Sequence, residues 1–202
     1  VTTAPEGKIR THGLFIGHER DVLDAAVALS QETNIDFLER GIKKCLVYLD
    51  PREFKSTWLG NKAIYRTRMA MADGGELIVL APGVSRFGED EDVDKLIRKY
   101  GYCGRLKVLD LVKENRDLYE NLGTAAHLIH SSSDGRFKIT YAVKNLTKEE
   151  VEGVHFAYAD YEKIAAEYEI DKLKPGWNWV KGEEVYFIPN PALGLWIDKN
   201  RF

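Results

Sequence analysis

The sequence predicts an α/β fold: a mostly parallel sheet with helices on both faces, a Rossmann-like three-layer sandwich. Two apolar runs, "KCLVYLDP" (44–51) and "ELIVLAPG" (76–83), are bounded by Asp-Pro, Gly-Gly and Pro-Gly, as strands buried on both faces are. Amphipathic stretches of helical length alternate with them, the pattern of a parallel sheet with crossover helices. The size and composition, 202 residues with 44% hydrophobic and 30% charged, fit one globular domain spanning 1–202.

The elements follow in order. "GLFIG" (13–17) reads as a short strand, and "ERDVLDAAVALSQ" (19–31) as a helix with Val22, Ala25, Ala26 and Leu29 on one side. After the strand at 44–51, the spacing from Trp58 to Ala72 is helical, and Gly74-Gly75 reads as its C-cap. "DEDVDKLIRKYG" (90–101) has acids in its first turn, bases in its last and a closing Gly, matching the helix dipole. A further helix covers 105–121. "TAAHLIHSS" (124–132) is β-compatible, and "RFKITYAVKN" (136–145) alternates as a strand. Thr147 and Glu150 form a capping box that opens a helix at 148–153, so the "NLT" sequon at Asn145 reads as a helix start. A short "VHFAYA" strand, a helix at 160–169, a loop-like stretch at 171–182 and a closing strand in "EEVYFIPN" complete the chain. No repeat or low-complexity tract interrupts it.

The net charge of -3 gives no support to nucleic acid or an anionic membrane as partner. No apolar run is long enough to span a bilayer and no signal-peptide pattern opens the chain, which begins with Val. Two distant cysteines, Cys45 and Cys103, argue for a reducing, cytoplasmic setting. Cys45 reads as core. Cys103, beside Arg105, has the better case for reactivity but no neighbouring His.

The Gly-Gly pair does not make a dinucleotide loop, because such glycines follow a strand and precede a helix. A methyltransferase-like strand also carries Gly-Gly before an apolar run, but "LFIGHER" offers one glycine where a cofactor loop needs several. At 100° per residue, Ile64, Thr67 and Met71 form the core face of the 58–72 helix, and Trp58, Lys62, Tyr65 and Met69 the opposite one. Lys62 and Arg66 lie about 40° apart, with Arg68 turned elsewhere. Two readings stay open: a solvated face, or an anion site in which Arg66 supplies a fork and Lys62 a point charge to a carboxylate. Ligands of α/β proteins bind outside the carboxyl ends of strands, which favours the second. His127 and His130 would share a face on a helix and oppose each other on a strand, and the surroundings read as strand. One of them is expected at the pocket mouth; no acid or Cys spacing supports a metal. His155 reads as a core or rim residue, and the acids of "FGEDEDVD" as a helix start. No catalytic triad is present, and no catalytic residue is assigned.

"WLGNKAIYR" (58–66) followed by "ADGGELIVLAP" (72–82) resembles the C-terminal half of the lactate-racemase-like proteins, nickel-pincer 2-hydroxyacid racemases and sugar-acid epimerases. "AHLIH" (126–130) resembles an Ala-His-Ser-Thr-His of one branch, "VYFIPN" (185–190) the terminal strand, and "EGKI…GLFIGHERDVLDAAVALS" the segment joining the two halves. The resemblance implies that this chain is the C-terminal domain of a longer enzyme. The nickel-pincer nucleotide, its lysine and the proton-shuttling histidines would reside in an N-terminal domain, the chain's partner, with no cofactor or metal held here. It implies substrate-binding roles for Lys62, Arg66, Tyr65, Trp58, His127 and His130 in a cleft for a hydroxy acid. Where the lactate-specific branch has Tyr-Gln and then Lys, this chain has Tyr65, Arg66 and Met69, which favours a longer, more polar acid. The competing expectations are a non-catalytic α/β domain that binds a ligand or a subunit, and a methyltransferase-like enzyme.

Overall fold

The computed structural model describes residues 1–3 and 8–202; the "EG" at 6–7 of the presumed joining segment lies outside them. An arm comes first: β1 (Thr2–Thr3) pairs antiparallel with β2 (Arg10–Thr11), and α1 (Arg20–Asn34) runs into β3 (Ile35–Leu38). The body follows as β4 (Ile42–Tyr48), α2 (Thr57–Gly60), α3 (Lys62–Tyr65), β5 (Met71–Ala81), α4 (Glu91–Tyr100), α5 (Arg105–Glu114), α6 (Arg116–Tyr119), α7 (Leu122–His130), β6 (Lys138–Val143), α8 (Lys148–Gly153), β7 (Ala157–Asp160), α9 (Tyr161–Tyr168), β8 (Gly176–Val180), β9 (Glu183–Ile188) and β10 (Leu195–Asp198).

The six-stranded sheet has the order β7-β6-β5-β4-β9-β8, parallel throughout except where β8 meets β9. Both faces are buried, which is why its central strands read as unbroken apolar runs. Cys45, Val47, Leu77 and Val79 point to the larger layer, built from residues of α3 through α8; Leu46, Ile78, Leu80 and Ala142 point to the other, covered by Tyr161 and Tyr168 of α9. The mixed α/β, mostly parallel, helix-flanked architecture is the one the sequence predicts. Each fully buried Leu or Val contributes about 2 kcal/mol of burial.

Several local expectations are corrected. The region 58–72 is not one helix: it breaks at Asn61 between α2 and α3, turns through 66–70, and enters β5 at Met71. Gly74 and Gly75 therefore cap no helix but lie inside β5. The β4–β5 register jumps from Ile42↔Met71 to Lys44↔Glu76, so residues 72–75 bulge out of the ladder. Gly74 takes φ 73°, and a Cβ on Gly75 would meet the carbonyl oxygen of Lys43 at 2.8 Å, so the bulge needs both glycines. The 124–132 stretch is helical as far as His130, because Asn121 Oδ1 accepts from the Thr124 amide at 3.1 Å and caps α7. "GLFIG" forms no strand, and the 105–121 helix divides at Asn115. The presumed loop at 171–182 contains β8. The capping box at Thr147 is present, with Glu150 N donating to Thr147 Oγ1 at 3.2 Å and Thr147 N to Glu150 Oε2 at 2.8 Å.

Candidate functional site

The sheet reverses its order at β4, which has β5 on one side and β9 on the other; this is the switch point where α/β folds open a crevice. The crossover after β4 carries Trp58, Lys62, Tyr65 and Arg66, and the chain leaving β9 passes through a short 3-10 turn at Pro191–Leu193 into β10. The two are laced together. Arg66 Nη1 donates to the carbonyl oxygens of Ala192 at 3.0 Å and Gly194 at 3.1 Å, and its own carbonyl accepts from Trp196 N at 3.0 Å. Asp198 N donates to Met69 O at 3.1 Å.

Beside this lacing lies an open cavity of about 760 Å³. Its body wall is Tyr65, Arg66 and Ala192–Leu195, and its arm wall includes Val27, Ser30, Gln31 and Asn34. Hydroxyl, amide and guanidinium groups thus face apolar Val27, Ile35 and Leu193, the mixture expected of a small polar ligand's site.

Lys62 and Arg66 do not converge. Although one helical turn apart, Lys62 places its Nζ 5.7 Å from the centroid of the buried Phe54 ring, whereas Arg66 is drawn to two carbonyls of the 192–194 turn. Each cation has found a local partner, so the shared anion face drawn from spacing alone is replaced by two separate placements. Lys62 has no carboxylate within ion-pair distance among the described residues. Arg68 does point elsewhere: Nη2 bridges to Asp134 Oδ2 at 2.9 Å, and Nη1 reaches the His130 carbonyl at 3.4 Å.

The other four predicted residues come together. The Trp58 ring lies over His127 with centroids 4.4 Å apart, His127 meets His130 edge to face at 5.5 Å, and His130 meets Tyr65 at 4.8 Å. Tyr65 is the link between this ring cluster and the cavity. The histidines do not sit at the carboxyl ends of the strands as expected. Since α7 feeds β6, its last residue His130 lies toward the strands' amino ends, near Arg136, whose Nη2 donates to Met71 O at the start of β5.

His127 is buried, and proton accounting fixes its tautomer. The Thr57 hydroxyl donates to Phe87 O at 3.0 Å, so Tyr102 OH donates to Thr57 Oγ1 at 2.8 Å. Tyr102 then accepts from His127 Nε2 at 3.1 Å, leaving Nδ1 as acceptor toward Ser131 Oγ at 3.4 Å. Burial holds the His127 pKa down at about 3, with His130 adding to the effect; burial and then Arg68 lower that of His130. Both rings are neutral hydrogen-bonding and packing groups at neutral pH. Burial pushes Tyr102 up. Asn61, also buried, accepts from Tyr141 through Oδ1 while its Nδ2 has no partner among the described residues. Cys45 is core; Cys103 is half-buried, and burial pushes its thiol up, away from the reactive range. His155 is exposed and precedes β7 with φ 68°.

Tyr102, Ser131, Asp134, the 192–195 turn and the arm wall were missed in the sequence. Only Asn121, the cap that makes α7 a helix, carried a readable signal for the histidine placement. Among the described residues no three His, Cys, Asp or Glu side chains gather as a metal site. His127 and His130 both turn Nδ1 toward the Ser131 hydroxyl, at 3.4 and 3.5 Å. No described helix is long and apolar enough to cross a membrane.

Fold and cavity together define a doubly wound α/β domain with a polar cavity between the Tyr65–Arg66 turn, the 192–195 turn and the arm. Among solved structures, the chain is similar to the lactate racemase apoprotein of Thermoanaerobacterium thermosaccharolyticum, with a TM-score of 0.62 and 13% identity over 95% of this chain. It is also similar to a Thermotoga maritima protein from structural genomics, with a TM-score of 0.68 and 22% identity over 89% of this chain. At these identities the likeness is one of fold. The chain spans 43% and 42% of those two chains, less than half of each. No protein-family profile and no curated protein matches it.

Proposed function

We propose that this chain is the substrate-cleft domain of a lactate-racemase-like 2-hydroxyacid racemase or epimerase, and that it works as the C-terminal part of a longer cytoplasmic enzyme. The observation that supports this most is the shared fold over 95% of the chain, with Tyr65 and Arg66 lining a cavity of about 760 Å³. The nickel-pincer cofactor and the hydride chemistry that it supplies would belong to a preceding domain.

The role of this chain's residues is to bind and orient. Arg66 keeps part of its guanidinium edge for an acid while Nη1 holds the 192–194 turn. The Tyr65 hydroxyl, Ser30 and Gln31 offer hydrogen bonds to a hydroxylated substrate, and the arginine in place of the lactate branch's Gln favours a longer sugar acid. Trp58, His127 and His130 act from behind, fixing the Tyr65 ring. Lys62 stands apart from the cavity and is left with no substrate contact in this proposal.

The test is a titration of the 202-residue chain with 2-hydroxy acids of increasing length, followed by NMR. Shifts confined to Tyr65, Arg66, Gln31 and Leu193, and lost in Arg66→Met, are expected. No perturbation at any acid, or one centred elsewhere, contradicts the assignment.

A further inference from the structure

The six-stranded sheet has two edges with different chemistry. β7 is four residues long and ends at Asp160, whose carboxylate caps α9. Short, charge-ended edges of this kind discourage pairing with another chain. β8 is the opposite case: its five residues, Gly-Trp-Asn-Trp-Val, carry no charge and no proline, and among the described residues it pairs only with β9.

Its side chains add a second observation. Trp177 and Trp179, two residues apart, project from the same face of β8. Trp177 is held, with the Arg40 guanidinium 4.6 Å over its ring and Tyr186 edge-on at 5.0 Å. Arg40 is itself fixed by Glu184, Nη2 donating to Oε1 at 2.6 Å. Trp179 has no such neighbour and is 73% exposed. An organised Arg-Trp-Tyr group beside an open indole has the composition of an interface centre.

We propose that β8 pairs antiparallel with β8 of a second copy of this chain, about a two-fold axis through Asn178, continuing the sheet across a dimer. The sequence fits its own reverse in this register. Trp177 comes opposite Trp179 of the partner subunit, and the reciprocal pair forms on the other side of the axis, so four indoles make one cross-strand cluster. Gly176 comes opposite the partner's Val180. The flanking cations are kept apart, Lys174 meeting the partner's Gly182 and Lys181 the partner's Pro175. A slip of two residues either way leaves a single Trp pair about the axis and sets an indole against Lys181 or Pro175. The surface therefore specifies one partner, itself, and one register.

The test is light scattering and sedimentation of the full chain over a wide concentration range. A reversible dimer is expected, and Trp179→Lys should raise its dissociation constant by more than about tenfold, the effect of a hot-spot residue, with thermal stability unchanged. As a second readout that does not depend on that variant folding, Asn178→Cys should form an intermolecular disulfide on mild oxidation, where the wild-type chain does not. A chain that stays monomeric throughout, a dimer indifferent to Trp179→Lys, or no cross-link at position 178 overturns the proposal.

Discussion

The body and the arm of this chain are stabilised very differently. In the body, Ile64, Leu77, Val79 and Leu80 are fully buried between sheet and helices. In the arm, α1 is 15 residues long and buries none of them, while Leu23 and Val27 lie on its surface at 55% and 44% exposure. A helix of this length is marginal in water on its own, so α1 depends on its contacts with β1 and β3 and on whatever covers its apolar side. The cavity lies along the seam between the two. Its body wall is as fixed as the sheet; its arm wall is only as fixed as α1. The difference teaches that the half of the cleft carrying Tyr65 and Arg66 is preorganised, and that the other half is completed by a further domain under the proposed function.

The largest effect that would sharpen this contrast comes from the core. Ile64→Ala is expected to cost about 3–4 kcal/mol in urea denaturation, as buried large-to-small changes do. A cost below about 1 kcal/mol would mean the body packs no better than the arm. Next comes Arg136→Met, which removes bonds from Nη1 to Arg68 O and from Nη2 to Met71 O, along with the Asp73 ion pair. Leaving buried carbonyls unmet there should cost about 2 kcal/mol.

The body also carries a pH signature. The His127 pKa is lowered in the fold, so the unfolded chain binds the proton more readily; the associated stability is complete above the unfolded value near 6.5 and is lost as pH falls toward about 3. Within that window wild type should lose up to about 1.4 kcal/mol per pH unit more than His127→Gln. Equal acid limbs for the two proteins would show that His127 is not buried as described. Smallest of all, Leu23→Ala in α1 should change the stability of this chain by less than about 0.5 kcal/mol.

What was legible in the sequence follows the same division. The strands β4 and β5 and the helix α4 announce themselves because burial on both faces, or on one stripe, writes a direct pattern. The helix–strand junction at 66–75 was misread because Thr67 and Met71, buried for different reasons, happen to fall at helical spacing. The glycines that looked like a helix stop serve a bulge whose partner, Lys43, is distant in sequence. His127 and His130 were singled out by type, and the structure does unite them with Trp58 and Tyr65, but the capped helix that does so hinged on Asn121. The divergence of Lys62 and Arg66 was not readable, since it is decided by Phe54 and by two carbonyls more than a hundred residues downstream.

Amide hydrogen exchange on this chain tests the central contrast most directly. The account predicts that β4, β5 and β6 exchange only through global unfolding while α1 exchanges with little protection, and that α1 gains protection when the rest of the longer enzyme is present. Protection of α1 equal to that of β5 in this chain alone would contradict it.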